Sequence, residues 1–172
     1  MPEIIDVYNS AREKIGKIER GTPMPDGGNK ISVHVWIKNK KGEYLLQQRV
    51  NSAKKFPNMW GQTGGGAQSG ESSWQCCVRE CREELGLNPD IKSAIWVGTF
   101  KRPLDFVDVW LIEQDVNLVD IRMQPEEVQN VKWASLDEIR RMIENKNFIP
   151  SILPGFEMIE NYFKMLRTFP KA

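Results

Sequence analysis

GGGAQSGESSWQCCVRECREELGL, residues Gly64–Leu87, is the stretch on which the reading of this chain turns. From Ser73 onward it has helical periodicity. Trp74, Cys77, Val78, Cys81 and Leu85 recur at spacings of three and four and form one stripe, suited to packing on a sheet. Glu80, Glu83 and Glu84 fall together on the other side, within an arc of about 100°. Like charges four apart on a helix repel by roughly 0.2–0.5 kcal/mol per pair, so this crowding calls for a counter-charge. Arg79 offers a favourable pair with Glu83, and a solvated charged face would need nothing more. Divalent cations are the other explanation: magnesium and manganese are hard ions that take carboxylate, phosphate and water oxygens. The helix alone leaves both open. Gly64, Gly65, Gly66 and Gly70, just ahead of it, would let the backbone approach a ligand or ion closely, or would make a plain tight turn.

Around this segment lies a chain of 172 residues, 40% hydrophobic and 27% charged, the balance of one globular domain with a real core. A formal net charge of +1 gives no field that would favour nucleic acid. No apolar run approaches the roughly 20 residues that span a bilayer, so no membrane partner is expected. The opening MPEIIDVYNS carries an early acid and no apolar h-region, unlike a signal peptide. The three cysteines, Cys76, Cys77 and Cys81, are odd in number and share one helical segment, which is no disulfide framework. A reduced, cytoplasmic location is the expectation.

Upstream, EIIDVYNSAREKIGKIERG predicts a β-hairpin turning near Asn9–Arg12, and GTPMPDGGN a loop. KISVHVWIKNKKGEYLLQQRV predicts a second hairpin, with Ile31–Ile37 and Tyr44–Leu46 flanking NKKGE. NSAKKFPNMWGQTGGG is a long loop with a short strand around Trp60–Thr63. Downstream, SAIWVGTFK, DFVDVWLIEQDV and VQNVKWAS are strand candidates. Ser135 and Glu138 form a capping box opening the helix LDEIRRMIEN, and Pro154 can open a last helix, PGFEMIENYFKMLR. A helix between two groups of strands favours a sheet sandwiched by helices.

Loop and first helix together resemble the Nudix box, G-x5-E-x7-R-E-U-x-E-E-x-G-U, where U is a bulky apolar residue. Gly65, Glu71, Arg79, Glu80, Glu83, Glu84 and Gly86 fill its seven fixed positions, and Cys81, a small buried hydrophobe, fills the first U slot. At roughly 7% usage per residue type, a chance match is on the order of one in 10⁸. The resemblance implies an α/β fold, an α/β/α sandwich with a mixed β-sheet, here preceded by the N-terminal hairpin. Residues 1–172 would form a single domain, with the hairpin and loop at 1–28 and the core and two C-terminal helices at 29–172. It implies metal-dependent hydrolysis of a diphosphate linkage in a small nucleoside diphosphate derivative. By the same resemblance Glu80, Glu83, Glu84 and the Gly64 carbonyl are metal-ligand positions for Mg2+ or Mn2+. Arg79 and Glu71 would brace the loop and orient the carboxylates, with Gly86 as a structural member of the motif. The chemistry is consistent, since such ions lower the pKa of bound water and stabilise developing charge on phosphoryl groups. A glutamate must then take the proton. Glu83 is the first candidate. Glu127, beside Glu126 in QPEEVQNVKW, is the second, unless that segment is only an acidic turn.

For the substrate, Arg49, Lys54 and Lys55 are candidate phosphate partners, with Arg49 favoured and Gly65 at the substrate's edge. Phe106, Trp110 and Phe148 could stack a base, although core roles suit each of them better. His34, the one histidine, reads as a packed or hydrogen-bonded residue of a strand. The N-terminal hairpin, HVWIKNKKGEYLLQQR and FPNMWGQTGGG are similar to the isopentenyl-diphosphate isomerase branch of the superfamily. That branch uses a cysteine and several histidines, whose positions fall here at Gly64, Gly66 and near Lys30. A histidine-rich site cannot be built from one histidine. Hydrolase activity is therefore expected, with an isomerase or a non-catalytic nucleotide-binding domain as alternatives. The N-terminal hairpin would be the element of a possible homodimer.

Overall fold

A computed structural model describes residues 2–168. The N-terminal hairpin is present as β1 (Ile4–Tyr8) and β2 (Lys14–Glu19), paired antiparallel in a sheet of their own. The second expected hairpin is only half right. β3 (Lys30–Lys38) and β4 (Tyr44–Arg49) are joined by a tight turn, with Asn39 N–H donating to the Glu43 carbonyl at 2.9 Å. Yet they pair only at Lys38 and Tyr44, and then part. β3 runs parallel to β8 (Asp105–Glu113) along its whole length, from Lys30–Asp105 to Lys38–Glu113. β4 turns to β5 (Trp60–Gly61) and β9 (Val128–Ala134). The reason is burial. Seven consecutive residues of β3, Ile31–Ile37, are buried on both faces, as in a strand deep within a sheet.

β6 (Thr63–Gly66) takes the edge of β3 that β4 leaves, pairing antiparallel with Ser32–Val35. The expected short strand near Trp60–Thr63 is thus two pieces, broken at Gln62. β7 (Ala94–Arg102) completes the mixed sheet beside β8. α1 (Ser73–Leu85) covers one face, packing Cys77, Cys81 and Leu85 against Ile31, Val33, Val35 and Ile37. On the other face, α2 (Leu136–Glu144) and α3 (Leu153–Thr168) bury Ile139, Phe156 and Ile159 against Trp36, Leu46, Val109 and Leu111. The result is the expected sandwich. The Ser135–Glu138 capping box is formed, and α1 has an equivalent one in Ser72 and Gln75. Among the described residues no helix is long and apolar enough to cross a membrane.

Candidate active site

The three box glutamates, which helical periodicity groups on one side, lie in three different environments. Glu83 is exposed. Glu80 lies against β6, where a Cβ on Gly65 would overlap its carboxylate. Glu84 is 3% exposed and points inward, accepting from Gln47 Nε2 at 2.9 Å and from Gly64 N–H at 3.3 Å. Cys76, off the expected apolar stripe, is as fully buried as Cys77 and Cys81. Burial pushes all three thiols up, so they are inert.

Arg79 is the counter-charge. Its Nε and Nη2 grip the two oxygens of Glu71 at 2.7 and 3.1 Å, and its Nη1 donates to Glu80 and Glu83 at 2.9 Å each. Nη2 also donates to the Gly66 carbonyl at 3.0 Å. Burial works against the Arg79 charge, but the bonds to Glu71 and the fields of its partners raise its pKa overall. Glu71 is likewise pushed up by burial but ends below its ordinary value through Arg79 and the Gln68 N–H. Burial raises Glu80, with Arg79 opposing. Burial and then the charge of Glu80 hold Glu84 well above the usual carboxylate range. Among the described residues no three His, Cys, Asp or Glu side chains converge on one point. Arg79 draws Glu80 and Glu83 to one side, while Gln47 and Gly64 draw Glu84 to the other.

Two clefts, each of about 290 Å³, share Gly64–Gly66 as their common wall. One holds Arg79, Glu80, Glu83 and Glu127. Glu126 is not in it. The other has Glu84 and Gln47 at its wall and the cations Arg49, Lys55, Lys30 and Arg102 around it. Arg49 is positioned there by its Nε, which donates to the Lys55 carbonyl at 3.1 Å, while Lys54 stays outside. Gly86 closes α1 in the left-handed conformation, φ 69°, and admits the loop carrying Glu127. Arg122 N–H bonds the Leu85 carbonyl and Gln124 N–H bonds that of Glu84, at 3.0 and 3.1 Å.

None of the three aromatic residues considered for stacking lines either cleft. Phe148 is core, stacked on Trp36; Trp110 packs on Trp74 and donates to Ser73; Phe106 lies under Arg12 and Lys101. His34 is packed edge-on to Phe100, and burial pushes it down to about 3, so it is neutral. Sequence reasoning missed Arg20, whose Nη2 donates to the Gly66 carbonyl at 3.0 Å and which enters the carboxylate cleft from the hairpin. It also missed Lys30, Arg102, Gln47 and Gln62. Lys30 and Arg102 were detectable only as cations at strand ends; nothing local marked Arg20.

A glycine-walled cleft on a mixed sheet, with the box arginine clamping its acids, defines a Nudix-fold hydrolase architecture of the kind typical of pyrophosphohydrolases. Residues 28–154 match the NUDIX domain, and the chain belongs to that family, whose members typically use divalent metal ions. An uncharacterized Nudix hydrolase of Listeria monocytogenes is 34% identical over 147 residues, 84% of this chain and 87% of its own. An isopentenyl-diphosphate Δ-isomerase of Escherichia coli is 29% identical over 117 residues, 63% of each chain. The crystal structure of DR0079 from Deinococcus radiodurans superposes with a TM-score of 0.74 at 23% identity, covering 92% of this chain and 98% of that one.

Proposed function

We propose that this chain hydrolyses a diphosphate linkage in a nucleoside diphosphate derivative, using Mg2+ or Mn2+. One observation carries the reading: two clefts meet at the Gly64–Gly66 wall, one bearing the carboxylates Glu80, Glu83 and Glu127, the other a ring of cations around the buried Glu84. Carboxylates suit a hard cation, and cations suit phosphate. Glu80, Glu83 and Glu84, with the Gly64 carbonyl, would hold the ion. The donor chemistry fits a hard cation, since Glu84 is a buried acid bonded only to neutral donors; Glu80 and Glu83 would have to turn from Arg79 to join it on the ion. When bound, such an ion supplies an acidified water and neutralises phosphoryl oxygens. Arg79, clamped by Glu71, holds the loop and the box acids in register. Arg49, Lys55, Lys30 and Arg102 bind the phosphates and keep the scissile linkage beside the carboxylates. Glu83 accepts the proton from the attacking water. Glu127 is the second candidate because it shares that cleft and makes no ion pair among the described residues.

We read the chain as a hydrolase of the isomerase-like branch, without isomerase chemistry, and the partial likeness to the isomerase of Escherichia coli supports that reading. Its thiols are buried in α1 and its one histidine is neutral and packed. Reduced cysteines agree with a cytoplasmic location. The hairpin packs on its own core, so a homodimer through it would use the outer face of β2.

The test is release of phosphate or mononucleotide from nucleoside triphosphates, sugar nucleotides, ADP-ribose, dinucleotides and coenzyme A, with and without metal. Metal-dependent turnover is expected for at least one. Loss of a general base lowers kcat about 10²–10⁴-fold, so Glu83→Gln should fall by that factor and Glu127→Gln by less. Unchanged turnover in Glu83→Gln would refute the site. Tight nucleotide binding without turnover would mark a binding domain, and conversion of isopentenyl to dimethylallyl diphosphate an isomerase.

A further inference from the structure

Four of the seven buried side-chain polar atoms without a partner among the described residues are carried by residues that line the cation-rimmed cleft: Gln47 Oε1, Gln62 Oε1, His34 Nδ1 and Arg102 Nε. Leaving a buried polar group unpaired costs about 1–3 kcal/mol, so their concentration in one cleft is informative. His34 Nδ1 lies beside Gly155 of α3, and Arg102 is engaged with Asp105 at 2.5 Å. The two glutamines remain. Each is 6% exposed. Gln47 Nε2 donates to Glu84, which leaves Oε1 as the acceptor. Phe56, Ile149 and Ile152 supply apolar wall to the same cleft.

We propose that Gln47 and Gln62 are specificity-determining residues that accept hydrogen bonds from the nucleoside of the substrate while the cationic rim takes its phosphates. This rests on the hydrolase reading above and names what that site selects. Two uncharged acceptors among apolar walls match a planar ring or sugar bearing N–H or O–H donors. They do not match an isopentenyl tail, which would leave both acceptors buried and unpaired. Sites built to hydrogen-bond a group reject analogues that lack it far more strongly than apolar pockets reject extra bulk. Gln47 also joins recognition to the reacting half, because the amide that accepts from the nucleoside donates to Glu84.

Binding without turnover tests this separately from the hydrolase reading. Dissociation constants are measured by calorimetry on the full chain in chelator, with AMP, IMP, CMP, UMP, dAMP, ribose 5-phosphate and isopentenyl diphosphate as probes. One ribonucleotide should bind at least tenfold more tightly than isopentenyl diphosphate. Discrimination between AMP and IMP would place the donor on the base, and between AMP and dAMP on the ribose. Gln62→Leu and Gln47→Leu should each weaken the preferred nucleotide about tenfold and erase that discrimination, tenfold being about 1.4 kcal/mol. Gln62→Glu, which keeps an acceptor, should retain more discrimination than Gln62→Leu, and thermal melts verify that each variant folds. Unchanged affinity in both leucine variants, or equal binding of isopentenyl diphosphate, would overturn the proposal. Absence of turnover with nucleotide binding intact would instead remove the hydrolase reading and leave this one standing.

Discussion

Glu84 is buried on two neutral donors, the Gln47 amide and the Gly64 N–H. Burial and the neighbouring Glu80 raise its pKa well above the ordinary 4.5. An acid whose pKa rises on folding favours the fold fully below its unfolded value. That contribution is lost as pH climbs towards the raised folded value. Without metal, the chain should therefore lose stability as pH rises from about 4.5. Glu84→Gln keeps the shape and removes the charge. At neutral pH in chelator it should raise the melting temperature, by about 2–4 °C for each 1 kcal/mol gained at this size. It should also flatten the stability profile through that pH range. Mg2+ or Mn2+ should stabilise the wild type through mass action, and this rise should vanish in Glu84→Gln. Scanning calorimetry across pH, with and without metal, checks each part. A lower melting temperature in chelator would mean that the Glu84 charge is already compensated.

At the next scale, α1 works through its two ends. Ser72 and Gln75 box its start, beside the loop that Arg79 and Glu71 clamp. Its finish needs Gly86, both for φ 69° and because a Cβ there would sit 2.8 Å from Arg122 Cβ. Forcing a residue with a Cβ into the left-handed region costs roughly 1–2 kcal/mol, so Gly86→Ala should lower stability by about that or more. It should also displace the loop that places Glu127. A denaturant midpoint reads the first effect, and kcat in fully folded protein the second. Full stability in the variant would count against this view of the cap. Such features span few residues, and linear reading reached them: the box spacing, the stripe through Cys77 and Cys81, and the Ser135–Glu138 cap. What it could not reach is carried by distance along the chain. β3 pairs with β8, 75 residues on, and Arg20 meets Gly66 across 46 residues. The inward turn of Glu84 likewise depends on β4 and β6, so the helix alone showed three acids but not which one was buried.

Taken whole, the molecule uses its N-terminal hairpin as a brace on the glycine loop. Asp6 accepts from Ser69 Oγ at 2.6 Å, from Gly70 N–H at 3.0 Å and from Lys14 at 2.7 Å, while Arg20 holds the Gly66 carbonyl. The far end is fixed by Arg12, which pairs with Asp108 of β8 and donates to Thr99 of β7 at 3.1 Å. Asp108 is 1% exposed. Burial raises its pKa, but Arg12, Ser73 and Thr99 outweigh that and hold it below the usual range. A lowered carboxyl stabilises the fold above its unfolded pKa, near 3.8, and that stability is lost as pH falls through the folded value. Arg12→Ala leaves the Asp108 charge buried without its partner. The expected loss at neutral pH is about 3 kcal/mol, the lower end for a broken buried pair because Arg12 itself is one third exposed. The loss should shrink in acid, where Asp108 is neutral in both states. Asp108→Asn on the Arg12→Ala background should restore part of it, because the amide carries no charge to strand. The double-mutant cycle gives the coupling directly. Amide exchange gives the consequence: in Arg12→Ala the N–H groups of Ser69 and Gly70 should exchange faster while those of β3 remain protected. Equal protection of the loop in both proteins would mean that Asp6 and Arg20 hold it unaided, and that Arg12 stabilises the sheet without reaching the site.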